Sequence, residues 1–221
     1  MLLRIKSPSA YNLLRANNIL PLPSLSTIQR YLRDVKVDCG FDEEFFVDFK
    51  QKLSTLKSKT RHGVLLFHEM KVRKSLYVNP ESLTFNGLAT ADIINTESTD
   101  DQADYALVFM FSSVHGNFHQ PIATFLSKNA TKGEILAKLI LQAITEVEKA
   151  GGYVDGLIYD GATPNRKMWT QFNISGKKDK LNYFMQNPLS EYRVIYFFSD
   201  TPHLLKCIRN RLLDNNLKVI D

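Results

Sequence analysis

"TKGEILAKLILQAITEVEKAGGYVDGLIYDGATPNRKMWTQF", residues 131–172, contains the clearest helix pattern in the chain and a strand pattern directly after it. Its first half predicts a long helix, because Thr131 is placed to cap it, apolar residues recur at helical spacing, and Gly151 ends it. The apolar run that follows has the length of a strand and ends at Asp160, and the residues after it predict a second helix. Helix, strand and helix in succession indicate an α/β fold with parallel crossovers.

The segments on either side of this stretch extend the same plan. Upstream, "GVLLFHEM" (residues 63–70) is an apolar run of strand length, and "DYALVFMFSSVHGNFHQPIATFLS" (residues 104–127) predicts two strands joined by a turn. Between them, "KSLYVNPESLTFNGLA" (residues 74–89) predicts a hairpin. Downstream, "RVIYFFSDTPHLLKCIRNRLLDN" (residues 193–215) repeats strand, turn and helix. An antiparallel meander followed by parallel crossovers is the order of the ribonuclease H fold, so we expect a ribonuclease H-like mixed sheet over residues 59–221.

A small helical segment, residues 1–58, precedes the predicted sheet. Ser7 is placed to cap a short helix in "SPSAYNLLRANNIL", and a second helix in "PLPSLSTIQRYLRDV" is capped by Ser24 or by the next serine. A third helix, "DEEFFVDFKQKLSTLKSKT", is acidic at its start and basic at its end, as the helix dipole favours. The first two helices are typical of a helix-turn-helix unit, in which Arg30 and Arg33 would contact DNA. An ordinary helical hairpin explains the pattern equally well.

Composition and charge limit the functions to consider. The 221-residue chain is 44% hydrophobic, and its apolar runs are too short for a membrane span, so we expect an intracellular protein without a membrane anchor. Its net charge of +5 comes from two basic ends around an acidic middle. The basic ends suit contact with nucleic acid and the acidic middle suits a bound cation, but solvated surface charge explains the same distribution. Two cysteines, Cys39 and Cys207, cannot supply an all-cysteine zinc site. No phosphate-binding Gly-x-x-x-x-Gly-Lys loop is present, so no nucleotide site is predicted.

Polar residues at the strand ends carry the clearest chemical signal. In a ribonuclease H-like sheet the first strand lies beside the strand that follows the long helix, so His68 and Glu69 should meet Asp160 there. Carboxylates at such strand ends can hold two divalent ions for phosphoryl transfer, and Mg²⁺ prefers oxygen ligands. Asp160 is therefore the candidate metal ligand, although Asp-Gly turns occur in any fold. Asp200, at the next strand end, either joins the site or caps the last helix, and His203 either points into the site or is structural.

Two helices carry candidate DNA contacts. In the helix after Asp160, Asn165 is placed to cap the helix and Arg166 to reach a phosphate, whereas Trp169 is more typical of the core. The last helix is basic through Lys206, Arg209 and Arg211. Such charges favour either phosphate contact or simple solvation.

Several longer segments carry a resemblance to a known family. They are "SAYNLLRANNILPLPSLSTIQRYL", "HEMKVRKSLYV", "ADYALVFMFSSVHGNFHQPIATFLSKNATKGEILAKLI", "EKAGGYVDGLIYDGATPNRKMW" and "FFSDTPHLLKCIRNRL". Together they resemble the P-element type transposases, including their THAP-domain relatives in animals, over nearly the whole chain. Asp-Gly-Ala followed by Asn-Arg and Trp, and then Asp-x-Pro-His-Leu-Leu-Lys followed by Arg-Asn, form the most specific combination.

The resemblance implies an activity and a set of site residues. In that family a helix-turn-helix segment precedes a ribonuclease H-like domain that cuts and joins DNA with metal ions held by an acidic triad. The second catalytic aspartate falls on Asp160. The first would fall on His68, because this chain has "HEM" where the family usually has Asp-Glu-Met, and Glu69 matches the following glutamate. The resemblance ends near Leu212, so the chain is expected to be truncated before the family's guanine-nucleotide-binding insertion and to lack the third acid.

These departures lead to three hypotheses. The first is a P-element transposase-like protein with an incomplete ribonuclease H-like fold and impaired catalysis, since two of three expected acids are replaced or missing. The second is an active Mg²⁺- or Mn²⁺-dependent transposase or nuclease, completed by Asp200, by Asp92 or by another chain. The third is a DNA-binding or dimerising regulator that acts through the N-terminal helices. We expect DNA as a partner, a nuclear location, a metal cofactor only if catalysis survives, and self-association through uncovered apolar surface.

Overall fold

The computed structural model describes residues 2–33, 39–78, 85–89, 101–161 and 163–214. The chain forms two compact units, Met1–Asp38 and Cys39–Asp221.

The first unit is helical. Its helices are α1 (Leu2–Lys6), α2 (Pro8–Ala16) and α3 (Leu25–Arg33). The side chain of Ser7 caps α2 by accepting a hydrogen bond from the Ala10 backbone, and Ser24 accepts one from the Thr27 backbone at the start of α3. The buried Tyr11 of α2 donates a hydrogen bond of 2.6 Å to the Pro23 carbonyl ahead of α3. The two expected helices are thus present, and their role in DNA binding stays a prediction.

The second unit contains the sheet. Its elements are α4 (Glu43–Ser54), a 3-10 turn (Ser58–Arg61), β1 (His62–Lys71), β2 (Tyr77–Val78), β3 (Phe85–Asn86), β4 (Tyr105–Ser113), β5 (His119–Ser127), α5 (Gly133–Lys149), β6 (Tyr153–Tyr159), α6 (Thr163–Gln171), β7 (Ser175–Lys177), β8 (Lys180–Asn182), β9 (Phe184–Gln186), β10 (Val194–Ser199) and α7 (Thr201–Asp214).

Strand order in the main sheet is β5-β4-β1-β6-β10-β9. The first three strands along the chain in this sheet, β1, β4 and β5, are antiparallel neighbours, whereas β6 is parallel to both β1 and β10. This confirms the expected ribonuclease H-like mixed sheet, and all the strands of the predicted main order are present. The short strand β9 extends it as an antiparallel edge. The predicted hairpin forms β2 and β3, which pair with each other in a separate small sheet rather than joining the main one.

One face of the sheet packs against helices. The buried core combines Leu65, Phe67, Phe109, Phe111 and Leu157 of the sheet with Phe49 and Leu53 of α4 and Ile140 and Ile144 of α5. Because the apolar side of α4 is buried in this core, α4 packs with the sheet, and the second compact unit begins at Cys39. The domain bounds of 1–58 and 59–221 stay a prediction. Backbone pairing of Gly40 with Thr124 ties the segment before α4 to β5.

The opposite face of the sheet is apolar and only half-buried in the part of the chain that the structure describes. Leu66, Val108, Met110 and Ile158 on this face all keep some exposure, and Phe198 is 49% exposed. Helix α7 also exposes apolar side chains, among them Leu205 and Leu212. No helix among the described residues is long and apolar enough to cross a membrane.

Local details depart from the sequence prediction at the start of α5. Lys132, and not Thr131, occupies the N-cap position, and its side chain makes no capping hydrogen bond. Thr131 is buried, and its backbone N–H donates to Glu69 instead. Gly151 has φ of +92° and ends the helix as expected, since this conformation favours glycine.

Candidate active site

His68 and Asp160 meet at the edge of the sheet. Parallel pairing sets Leu66 of β1 beside Ile158 of β6, so the residues two positions further along each strand lie next to each other. The distance from His68 Nδ1 to Asp160 Oδ2 is 3.5 Å, and the two side chains are 62% and 17% exposed. Strand β1 continues to Lys71, so His68 lies within the strand rather than at its end. The predicted neighbours are therefore brought together, while their catalytic roles stay predictions.

Asn165 holds Asp160 from the other side. Its Nδ2 donates to the Asp160 backbone carbonyl at 3.0 Å and to Asp160 Oδ1 at 2.6 Å, and Asn165 itself is buried. Because α6 begins at Thr163, Asn165 lies inside the helix, and the expectation that it caps the helix is wrong. The result is a carboxylate with one oxygen toward Asn165 and the other toward His68.

Glu69 lies on the opposite face of the sheet from His68, as neighbouring strand residues do. Its Oε1 accepts a hydrogen bond of 2.7 Å from the Thr131 backbone, which fixes the loop between β5 and α5. Glu69 lines a cavity of about 220 Å³ together with Phe67, Thr131, Asp160 and Asn165. The Thr131 hydroxyl is buried without a hydrogen-bond partner. Glu69 is therefore engaged in positioning a loop and does not face His68.

The other candidate acid and the second histidine border the His68 side of the sheet. An open cavity of about 380 Å³ is lined by His68, Asp160, Asp200, His203 and apolar residues such as Met110. Asp200 immediately precedes α7. Its backbone carbonyl accepts a hydrogen bond from the Leu204 backbone N–H in the first turn of that helix. Within the described ranges, no three His, Cys, Asp or Glu side chains converge as a metal site. Asp92 lies outside the described residues.

This donor set does not fit a pair of Mg²⁺ ions. Such a pair needs several anionic oxygens, but Asp160 already directs its oxygens to Asn165 and His68. The imidazole of His68 supplies a nitrogen, which suits transition metals better than Mg²⁺, and carries no negative charge when neutral. We therefore assign no catalytic step to a metal bound here.

Two stacked aromatic rings lie behind the pair, on the other face of the sheet. The residues directly before His68 and Asp160 are Phe67 and Tyr159, whose rings stack with centroids 5.3 Å apart and planes 20° apart. Both are buried, and Trp169 of α6 packs 6.1 Å from Tyr159, in keeping with a core role. This ring pair was not foreseen from the sequence, although an aromatic residue directly before each of the two polar residues was the available signal.

Burial of Tyr159 predicts a loss of stability at high pH. Removal from water raises the pKa of Tyr159 from 10.0 to about 12. Below about pH 10 the residue is neutral in both states, but between about pH 10 and 12 only the unfolded chain ionises it, so the folded state loses about 1.4 kcal/mol per pH unit. Urea unfolding should show this loss in the wild type and a smaller loss in Tyr159→Phe. Tyr192→Phe, at a position 96% exposed, serves as the control and should leave the pH dependence unchanged.

The predicted DNA-contact residues lie on three helices. Arg30 of α3, Arg166 of α6, and Lys206 and Arg209 of α7 are exposed. The Arg209 guanidinium donates to the neighbouring Asn210 side chain, whereas the side chain of Arg33 lies outside the described part of the chain. Exposure leaves these cations accessible to phosphate, and their contact with DNA stays a prediction.

Comparisons with known proteins agree with the geometry. A family model described as TNP-like, RNase H N-terminal domain matches residues 37–173. The chain is 29% identical over 217 residues to the Transposable element P transposase of Drosophila melanogaster, which covers 98% of this chain and 25% of that protein. It is 23% identical over 205 residues to DNA transposase THAP9 of Homo sapiens, and the matched region covers 92% of this chain and 22% of that protein.

A solved structure is similar to nearly the whole of this chain. The chain matches a chain of the "Drosophila P element transposase strand transfer complex" with a TM-score of 0.71 and 25% identity, over 96% of this chain and 42% of that one. The present chain thus spans about a quarter of the length of the two curated relatives.

Proposed function

The chain belongs to the TNP-like RNase H N-terminal domain family, and from this premise we propose that it is a P element transposase-like protein that has lost metal-dependent DNA cutting. Its similarity to the P transposase and to THAP9 confirms the expected resemblance to P-element type transposases. The ribonuclease H-like fold is retained, so the proposed loss concerns the chemistry of the site and not the scaffold.

One observation carries the proposal. The side chain that faces Asp160 across the two central strands is His68, where the resemblance places a catalytic aspartate. An imidazole cannot neutralise two closely spaced divalent cations, and Glu69 does not replace the missing charge because it binds the Thr131 backbone on the other face. The residue that faces Asp160 across the two strands therefore supplies an imidazole and not a second carboxylate.

A strand-cleavage assay tests the loss of activity directly. The protein is incubated with duplex DNA that carries transposon ends of a related element, in Mg²⁺ or in Mn²⁺, beside the Asp160→Ala variant. We expect no product above that of Asp160→Ala with either metal. Metal-dependent cutting by the wild type that disappears in Asp160→Ala would overturn the proposal and favour an active enzyme in which Asp200 or another chain completes the site.

Restoring the aspartate should restore cation binding without restoring cutting. His68→Asp places two carboxylates side by side, which gives Mn²⁺ two anionic ligands. At about ten times its Kd, Mn²⁺ would add about 1.4 kcal/mol to the free energy of unfolding, or about 3–6 °C in the melting temperature of a domain of this size. Differential scanning fluorimetry should show this shift in His68→Asp and none in the wild type.

A neutral substitution provides the control for that measurement. His68→Asn adds no charge and should show no Mn²⁺-dependent shift, and Asp160→Asn in the His68→Asp background should remove the shift. Cutting by His68→Asp alone would contradict the inference that a third acid is needed, whereas an equal Mn²⁺ shift in the wild type would contradict the argument about charge.

DNA is the proposed partner, with the nucleus as the proposed location. Support comes from the similarity to a chain of a strand transfer complex and from the exposed cations Arg166, Lys206 and Arg209. If these cations contact phosphates, replacing each with glutamine should weaken DNA binding uniformly across sequences and lower its salt dependence. Affinity that is insensitive to salt would argue against phosphate contact.

Self-association is a further proposal, supported by the apolar side of α7. Leu205, Ile208 and Leu212 follow helical spacing, and each is 48–61% exposed. An apolar stripe of this kind favours pairing of helices or another apolar cover. Sedimentation velocity over a range of concentrations should show association that Leu205→Glu weakens, and a monomer at all concentrations would contradict it.

A further inference from the structure

Four aromatic side chains lie exposed at the β9–β10 edge of the sheet. Tyr183, Phe184, Tyr196 and Phe198 are 52%, 42%, 41% and 49% exposed, respectively. Tyr196 is at their centre, with ring centroids 6.3 Å from Tyr183, 6.3 Å from Phe184 and 6.4 Å from Phe198. These four rings, here called the aromatic edge, keep large apolar faces in contact with water.

The backbone of the sheet fixes where these rings lie. Tyr196 and Phe198 are two residues apart on β10 and therefore point to the same face, and Phe184 lies directly opposite Tyr196 in the antiparallel pair with β9. Gly156 of β6 makes room for the Phe198 ring, since a Cβ there would approach the ring to within 2.8 Å. Three rings of the aromatic edge are therefore placed by β9 and β10, and the fourth, Tyr183, directly precedes β9.

A basic hairpin adjoins the aromatic edge. Lys177 ends β7, Lys180 begins β8, and Lys178 and Asp179 form the turn between them, all four being exposed. The chain passes from Lys180 to Tyr183 within three residues, and Asn182 anchors the end of β8 by donating to the Asn173 carbonyl at 3.0 Å. Positive charge thus lies beside exposed rings, which is the combination that an unpaired nucleic acid strand requires.

We propose that the aromatic edge and the β7–β8 hairpin bind unpaired DNA, with bases stacked on the rings and phosphates near the lysines. Rings exposed on an open sheet face are used in this way by single-strand binding modules, because every base offers a flat face for stacking. A duplex hides those base faces, so the surface should prefer a single strand. The flanking lysines distinguish this occupant from an apolar helix or a second copy of the chain, which would gain nothing from them.

The position of the surface connects it with the candidate active site. Phe198 pairs with Ile158, which in turn lies beside Leu66 in β1, two residues before His68. A strand stacked on the aromatic edge would therefore lie on the same sheet face as the His68–Asp160 pair. The inference rests on the proposed function only for the choice of DNA, and it does not depend on whether cutting is lost.

Fluorescence anisotropy tests the surface in EDTA, where no metal-dependent chemistry contributes. The full chain is titrated into a labelled oligothymidylate of about 15 nucleotides and, separately, into a duplex of the same length. Tyr196→Ala and Phe198→Ala should each weaken binding of the single strand about tenfold or more, since each removes one stacking platform. Phe198→Leu should weaken it similarly, because leucine keeps apolar area but has no ring.

Matched controls separate stacking from general exposure and from folding. Tyr192→Ala removes an aromatic ring that is 96% exposed and outside the aromatic edge, and it should leave affinity unchanged. Lys178→Gln should lower the slope of log affinity against log salt by about 0.7, as expected for one phosphate contact on a single strand. Melting temperatures of all variants identify any that are unfolded, and Phe198→Leu then stands in for Phe198→Ala.

Three results would overturn the proposal. One is unchanged single-strand affinity in both Tyr196→Ala and Phe198→Leu, and another is an equal loss in Tyr192→Ala. The third is a change in sedimentation behaviour with no change in DNA affinity, which would identify the aromatic edge as a protein interface. None of these results bears on the cleavage assay, so failure here is distinguishable from failure of the proposed function.

Discussion

Replacing Phe67 with alanine is expected to lower the free energy of unfolding by about 3–5 kcal/mol, the usual range for removing a fully buried phenylalanine. The Phe67 side chain is 4% exposed and packs against Phe109 at 5.6 Å as well as against Tyr159 at 5.3 Å between ring centroids. Removal loses transfer free energy and leaves a cavity between the two central strands, β1 and β6. Urea unfolding at neutral pH measures the loss.

Loss of Phe67 should also disturb the pair that follows it. Phe67 precedes His68 and stacks on Tyr159, which precedes Asp160, so the ring pair supports the two paired strands directly behind the site residues. If Phe67→Ala stays folded, the Mn²⁺-dependent rise in melting temperature should be smaller in the double variant Phe67→Ala/His68→Asp than in His68→Asp alone. A matched control is Phe198→Ala, on the same sheet but 49% exposed, which should cost about 1 kcal/mol or less. Equal losses at the two positions would contradict this account of the core.

The meeting of His68 with Asp160 was predictable from the sequence. Two apolar runs of strand length, each ending at polar residues and separated by a long helix, indicate parallel neighbours whose far ends coincide. The prediction needed only the order of elements, which hydrophobic periodicity reveals well. The alternation of side chains along a strand explains why Glu69, the next residue, lies on the opposite face from His68.

Residues that bind the backbone of another element were harder to predict. Asn165 was expected to cap α6, but the helix begins two residues earlier, and its side chain reaches Asp160 instead. Thr131 was expected to cap α5, but Lys132 occupies the N-cap position, and the Thr131 N–H donates to Glu69 of β1. Helix starts are uncertain by one or two residues in sequence patterns, and such a shift changes which side chain can cap.

The short strands and the packing partner of α4 could not be predicted from the sequence for a different reason. Strands β7, β8 and β9 have three residues each, too few for alternation to be recognised, so the aromatic edge was not foreseen. The apolar side of α4 was recognisable in the sequence, but a pattern does not say which core an amphipathic helix joins, and α4 packs with the sheet.

The second large effect is expected at Glu148, near the opposite end of β6 from Asp160. Its side chain, 6% exposed, accepts hydrogen bonds from Asn187 Nδ2 at 2.9 Å and from the Val154 backbone at 3.0 Å, and it pairs with the Arg193 guanidinium. These contacts connect the end of α5 with the start of β6 and with the loop between β9 and β10. Three segments thus share one carboxylate.

Glu148→Ala should lower the free energy of unfolding by about 3 kcal/mol. Removing one partner of a buried pair leaves the other charge and its hydrogen-bonding groups unsatisfied, and Arg193 is only 27% exposed. Glu148→Gln should cost less, since the amide oxygen still accepts from Val154 while the ion pair is lost. Glu146→Ala, at a residue paired with Lys149 near the surface, is the matched control and should change stability by about 0.5 kcal/mol or less. A similar small change in Glu148→Ala would show that the three segments are held by apolar packing instead, and the aromatic edge would then not depend on this anchor for its position.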